Sequence, residues 1–295
     1  MLAASLFLLG FLVPILMFVS LVASFPIVVL RVRRGLGSAV MAAALAASIV
    51  AWALTPAVAL KFVVLLLVPG FLMVEALVRG RGLRRGALWA FVLVAAEIGL
   101  VLLSIGAQTE AALLEPLRAL SSPEFLAEMR TRLPQENVEL WAEQAHTLVA
   151  IMQVVYPAAL LISGAIAVFA NAALLHAWLA RRDPGFIEGG EFEGIRWPLG
   201  LVMLFVLGGA AVVFPPLRAT GYNVVLITAF FFAVQGLAVV SYYARRLAGP
   251  PFLRVALLAL VLINPWAAQI LALLGLFDTW ADFRKWAEPP PAKSA

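Results

Sequence analysis

The sequence predicts an all-α fold, a polytopic transmembrane helix bundle of about eight helices with an amphipathic helical segment on the outer side. Three observations predict it. Of the 295 residues, 64% are hydrophobic and 13% charged, with a mean hydropathy of +1.03. A water-soluble chain must keep most of its surface polar enough for water, so lipid is the solvent that fits this composition. The apolar residues also fall in continuous runs long enough to cross a bilayer, without the alternation of barrel strands. Finally, the basic residues gather in short loops between those runs, the distribution that orients membrane helices.

The runs cover residues 2–30, 38–54, 57–78, 87–105, 147–179, 199–214, 222–244 and 255–276. A span needs about 20 apolar residues, so the second and sixth are short and the first and fifth long. The long ones are expected to tilt, or to kink at Pro14, Pro26 and Pro157. The first run has no basic segment before it and no small-residue cleavage site after it. It is expected to stay as the first helix and not to leave as a signal peptide.

Arginine sets the orientation. Arg31, Arg33 and Arg34 follow the first run, and Arg79, Arg81, Arg84 and Arg85 the third. Arg181, Arg182 and Arg196 lie between the fifth and sixth, and Arg245, Arg246 and Arg254 between the seventh and eighth. These alternate loops hold most of the 21 basic residues, which places them in the cytoplasm and the N-terminus outside. One feature dissents: with eight spans the basic tail at Arg284, Lys285 and Lys293 falls outside. A re-entrant last run would return it to the cytoplasm.

One transmembrane domain is expected over residues 1–288, with an outer insertion at 106–146 and a disordered tail at 289–295. In the insertion, Ser121-Ser122-Pro123-Glu124 has the form of a helix start: serine cap, proline in the first turn, carboxylate near the positive end. Leu113, Leu117, Leu120, Phe125, Met129 and Leu133 recur at helical spacing, and glutamates fill the other face. Two amphipathic helices are expected, either packing on their own bundle or acting as a lid. The acidic, glycine-rich stretch at 183–196 reads as a flexible connector.

Catalytic chemistry finds no foothold. With no cysteine, thiolate catalysis, disulfides and iron–sulfur clusters are excluded. There is no phosphate-binding glycine loop with lysine, no histidine pair at metal spacing, and no Ser–His–acid motif. No catalytic residue, metal or cofactor is therefore expected, and the chain is read as something other than an enzyme. The net charge of +5 would suggest nucleic acid in a soluble protein, but here the charge belongs to the loops.

Polar residues inside spans carry more information, because each must find a partner in hydrocarbon. Glu97, near the middle of the fourth run, is the strongest candidate: a ligand contact or proton-carrying carboxylate, or else a residue tying helices together. Glu75 is explained by an i,i+4 pair with Arg79. Gln235 and Gly236 interrupt an aromatic run, either as a close helix crossing tied by an amide or as a ligand contact. Asn264 precedes Pro265, which breaks the eighth run near its centre, and Gln269 follows; broken helices persist where they line a cavity or are buried in protein. Asn171, His176 and Gln153 complete the set. Gly35, Ala39, Ala43 and Ala47 form a small-residue ladder that lets another helix come close. Phe277, Asp278, Trp280, Asp282 and Arg284 suit an interfacial helix anchored by aromatics.

The stretches "FPIVVLRVRRGLGSAV", "FEGIRWPLGLVMLF", "YNVVLITAFFFAVQGLAVVSYYARR" and "LGLFDTWADFRK" resemble the YybS-like bacterial membrane proteins, the family of domain of unknown function 2232. The resemblance implies the bacterial inner membrane and supplies no activity. That family is similar in organisation to the substrate-binding subunits of energy-coupling-factor transporters. This implies a small-molecule pocket between helices, with coupling and ATPase subunits as partners docking on small-residue ladders. Two functions therefore stand open. One is a small-molecule-binding or transport-related subunit, with Glu97, Gln235, Gly236, Asn264 and Gln269 at the site. The other is a scaffold in the bilayer that recruits envelope or cell-division partners.

Overall fold

The computed structural model describes residues 1–12, 17–182, 192–246 and 266–287. Its elements are helical throughout: α1 (Leu2–Leu12), α2 (Met17–Ser20), α3 (Phe25–Arg34), α4 (Leu36–Ala53) and α5 (Pro56–Val78). Then come α6 (Leu83–Ala119), α7 (Pro123–Arg130), α8 (Gln135–Arg182), α9 (Leu199–Val213), α10 (Arg218–Arg246) and α11 (Ala267–Ala281). Among the described residues, five stretches are long and apolar enough to cross a membrane: α4, α5, residues Leu83–Gly106 of α6, α8, and Pro215–Arg246 around α10. The shorter α1, α9 and α11 are also apolar. Asn264 and the proline after it lie outside the described residues, as do the 183–191 part of the connector and the 289–295 tail.

The chain divides into two compact units, residues 1–113 with 159–189, and residues 114–158 with 190–295. In the first unit, Val28, Met73, Val74, Ala90, Val94, Val168 and Leu175 form one buried cluster. Ala23, Ile27, Ala39, Ala46, Val50 and Phe62 form a second. The first apolar run has a turn at residues 21–24, between α2 and α3 and beside Pro26, one of the expected kink positions; Pro14 lies outside the described residues. Pro26 in the first turn of α3 cannot continue a helix from the preceding turn. The break leaves the Leu21 carbonyl without a helical partner, and Asn171 of α8 supplies one. Its Nδ2 donates to Leu21 O at 2.7 Å and its Oδ1 accepts from Ser24 Oγ at 2.9 Å. Proline shapes α5 as well: Thr55 caps it through Val58 N–H at 3.2 Å, and a π turn at Val63–Leu67 takes up the strain just before Pro69.

Glu75 does more than pair with Arg79. Its Oε2 also accepts from Nε and Nη2 of Arg31 on α3, at 3.0 and 2.8 Å, so it joins two helices at their arginine-bearing ends.

The 106–146 insertion grows out of two spans. α6 runs to Ala119 with a non-helical backbone at Ile105, where the span ends. At 1.5 Å per residue the 48-residue α8 is about 70 Å long, more than twice a hydrocarbon core, so its N-terminal part is the second arm. Between them Ser122 caps α7 through Phe125 N–H at 3.3 Å. Leu114 and Val138 are fully buried, and Trp141 Nε1 donates to Leu120 O at 3.0 Å. The insertion therefore buries part of its apolar face.

In the second unit Pro157 lies inside α8, where it has no N–H to give and its ring crowds the carbonyl one turn earlier. Asn223 of α10 serves the backbone there. Its Oδ1 accepts from Ala158 N at 2.8 Å, and its Nδ2 donates to Val154 O at 2.7 Å. An Asn223→Leu variant leaves both backbone groups without partners in an apolar setting, at about 1–3 kcal/mol each, and thermal unfolding in detergent should register the loss. Adding Pro157→Ala should restore much of it, because α8 can then close Ala158 N–H onto Val154 O.

Candidate functional site: a polar clamp at the end of the last helix

α10 and α11 cross at two glycines. A Cβ built on Gly236 would run into the Leu271 carbonyl, and one built on Gly275 into the Phe232 carbonyl. Only hydrogen at both positions lets the backbones approach this closely. The contacts ascend together: Phe232 meets Gly275, Gln235 meets Asp278, and Tyr243 meets Phe283. The two helices are therefore parallel. Asp282, Arg284 and Lys285 consequently lie at the Arg245–Arg246 end of α10. Arg284 and Lys285 of the basic tail thus share an end with the arginines of their own unit.

One turn beyond the crossing, the polar side chains of both helices are buried. Gln235 is 0%, Asp278 3% and Arg284 4% exposed. Gln235 uses both ends of its amide: Nε2 donates to Asp278 Oδ2 at 2.9 Å, and Oε1 accepts from Trp197 N at 2.9 Å. Trp197 precedes Pro198 at the start of α9, so its N–H has no turn of helix behind it to accept it. Its indole Nε1 donates to Phe231 O at 2.7 Å, which seats the ring edge-on against Phe231.

Asp278 gathers further donors. Oδ1 accepts from Phe283 N at 3.2 Å, and Oδ2 faces Arg284 Nη2 at 3.3 Å. The same Nη2 donates to Ile195 O at 3.0 Å. The chain can turn back in this way because Asp282 adopts the left-handed conformation at φ 45°, which aspartate tolerates better than most residues. Asp282 is then held by Arg196 in a two-pronged pair, at 3.0 and 2.6 Å, and by Lys285 at 3.0 Å. Arg245 and Glu193 form a neighbouring pair at 2.6 Å, and Tyr242 donates to Arg284 O at 3.1 Å.

The electrostatics follow from these contacts. Burial acts to raise the Asp282 carboxyl, but the hydrogen bonds and positive charges of Lys285 and Arg196 outweigh it and hold the group below the ordinary carboxylate value. Burial lowers the Arg284 guanidinium from its usual value, with Asp278 acting in the other direction. Arginine nevertheless keeps its charge.

The structure brings Gln235 and Gly236 together with Asp278, Asp282 and Arg284. Gln269 lies exposed on α11, and Phe277 and Trp280 point outward from it, 54% and 59% exposed. Glu97 belongs to the other unit, on α6, where its Oε2 is buried and has no hydrogen-bond partner. Of the ladder, Ala39 is buried and Ala43 packs against the core of the chain's own first unit, Ala47 is half-buried, and Gly35 caps α3 with φ 86°. Ser24, Gly70 and Asn171 line a cavity whose volume for the centre of a water-sized sphere is about 10 Å³, room for one water. Trp197 and Asn223 were missed in the sequence. Each lies at or near a helix end, where a polar group needs no special explanation, and the backbone each one serves is distant in the chain.

Fold and clamp together define a polytopic α-helical membrane protein. A family model described as "Predicted membrane protein (DUF2232)" matches residues 1–279, and the chain belongs to that family. Comparisons with curated proteins and with solved structures gave no significant match. The matched stretch contains Gln235, Gly236, Gly275 and Asp278 and stops short of Asp282 and Arg284.

Gly236→Ala or Gly275→Ala should push α10 and α11 apart and break the Gln235–Asp278 bond. We expect a loss of about 2–4 kcal/mol, since overpacking and a lost buried hydrogen bond combine. Gly209→Ala, on α9 with open space at its Cβ, should be close to neutral in the same thermal assay. The pH response has a definite sign. With its folded value depressed, Asp282 contributes stability that is complete above the ordinary carboxylate range and lost as pH falls through the lowered value. Melting temperature should therefore lose its Asp282 dependence only in acid, and Asp282→Asn should lower it at neutral pH.

Proposed function

We propose that this protein is a small-molecule-binding, transport-related subunit of the bacterial cytoplasmic membrane, and that Glu97 contacts the ligand. The observation carrying the reading is the Glu97 carboxyl oxygen, buried in a span with no hydrogen-bond partner. A polar group at that depth is costly unless something completes it. Gln235 and Asp278, by contrast, spend their hydrogen bonds on Trp197, Phe283, Arg284 and each other. Their part in such a protein is to hold α9, α10 and α11 in place. A carboxyl ligand contact calls for a partner that brings a hydrogen-bond donor or a positive charge. The arginine-bearing ends would face the cytoplasm, where coupling and ATPase subunits of the energy-coupling-factor type would dock.

A scaffold that recruits envelope or division proteins is the second reading. It draws on the internal use of the Gln235 amide, which removes one expected ligand contact.

The test is gentle purification from native membranes, with mass spectrometry of extracted small molecules and co-purifying proteins, for wild type and Glu97→Gln. The binding reading expects a stoichiometric metabolite with wild type and at least roughly tenfold weaker retention with Glu97→Gln, at unchanged melting temperature. Envelope or division proteins with no metabolite would replace it with the scaffold. A Glu97→Gln variant that loses stability and nothing else makes the carboxyl structural.

A further inference from the structure

We infer that the clamp at the end of α11 is a phosphate-binding site, with Arg284 as its central residue. Arg284 uses one of its three nitrogens: Nη2 meets Ile195 O and Asp278. Nε and Nη1 are buried and have no hydrogen-bond partner. A guanidinium carries five N–H donors, and leaving buried donors unmade is among the more costly defects a protein core can hold. An acceptor with several oxygens answers that need, and phosphate is one whose geometry matches the guanidinium fork.

Charge around the site points the same way. Among the described residues, Arg196, Arg245, Arg284 and Lys285 pair with three carboxylates, Glu193, Asp278 and Asp282. One positive charge is left over. Arg196 and Lys285 share Asp282 and remain 52% and 71% exposed at the side chain, able to turn an N–H towards an incoming anion. The level also fits a lipid headgroup. Phe277 and Trp280 face outward within two turns of Arg284, and exposed tryptophan marks the depth of the headgroups. Two sources share this chemistry: the phosphodiester of an anionic lipid and a soluble phosphate compound.

The experiment measures the melting temperature of the full chain in phosphatidylcholine nanodiscs with and without phosphatidylglycerol. A second arm in detergent titrates inorganic phosphate against chloride at constant ionic strength. Arg284→Lys runs in parallel, since lysine keeps the charge and a donor for Asp278 and Ile195 but loses the additional guanidinium donors. Saturable stabilisation by phosphatidylglycerol, weakened roughly tenfold or more in Arg284→Lys, supports the site and names lipid as its source. The same pattern with inorganic phosphate supports the site and names a soluble source. No stabilisation in either arm overturns it, and so does equal stabilisation of wild type and variant. Should Arg284→Lys fail to fold, hydrogen–deuterium exchange of wild type decides. Protection on phosphate or phosphatidylglycerol addition confined to residues 192–197 and 282–287 supports the site, and protection elsewhere or none overturns it.

Discussion

Hydrocarbon contains no water to take up a backbone group that a broken helix leaves free, and the described structure is organised around that constraint. Among the places where proline or a helix start disturbs the backbone ladder are the turn at residues 21–24, Pro157 inside α8, and the entry to α9 at Pro198. A side-chain amide from a distant helix reaches each one. Asn171 takes the Leu21 carbonyl, Asn223 bridges Val154 and Ala158, and Gln235 accepts the Trp197 N–H. Asparagine and glutamine suit this work because one planar group offers both a donor and an acceptor without charge. The same bonds that complete the backbone also join helices far apart in sequence, so breaking and packing are solved by one set of residues.

The clamp extends this logic to charge. Asp278 and Arg284 are both nearly fully buried, and a buried ion pair is weak evidence for stability because desolvation offsets attraction. What the pair supplies is position. Asp278 is held by Gln235 and by the Phe283 N–H, Arg284 by the Ile195 carbonyl, and the loop before α9 is thereby pinned to the end of α11. The glycine crossing makes this possible: at a wider spacing the Gln235 amide could not reach Asp278 while also serving Trp197. The DUF2232 family match, over residues 1–279, covers the crossing and Asp278.

Glu97 stands apart from that economy of partners. Glu75, also within a span, is claimed by Arg31 and Arg79, and Glu193 by Arg245. Glu97 has an oxygen that nothing claims, in the unit that does not contain the clamp. Among the described residues Arg284 shares this feature, since its Nε and Nη1 are also buried without a hydrogen-bond partner.

Composition and the placement of apolar runs by themselves determined that this is an α-helical membrane protein, because transfer to lipid depends on summed side-chain hydrophobicity and hardly on contacts. The interruption at Gln235-Gly236 was also legible, since a polar residue or glycine in an apolar run is an anomaly that can be seen locally. Only the tertiary structure decided that α10 and α11 are parallel and which polar groups meet. Those outcomes depend on pairs such as Asn223 with Ala158 or Gln235 with Trp197, separated by 65 and 38 residues. A hydrogen bond between residues so far apart leaves no periodicity or spacing in the chain, because its geometry exists only once the helices have packed.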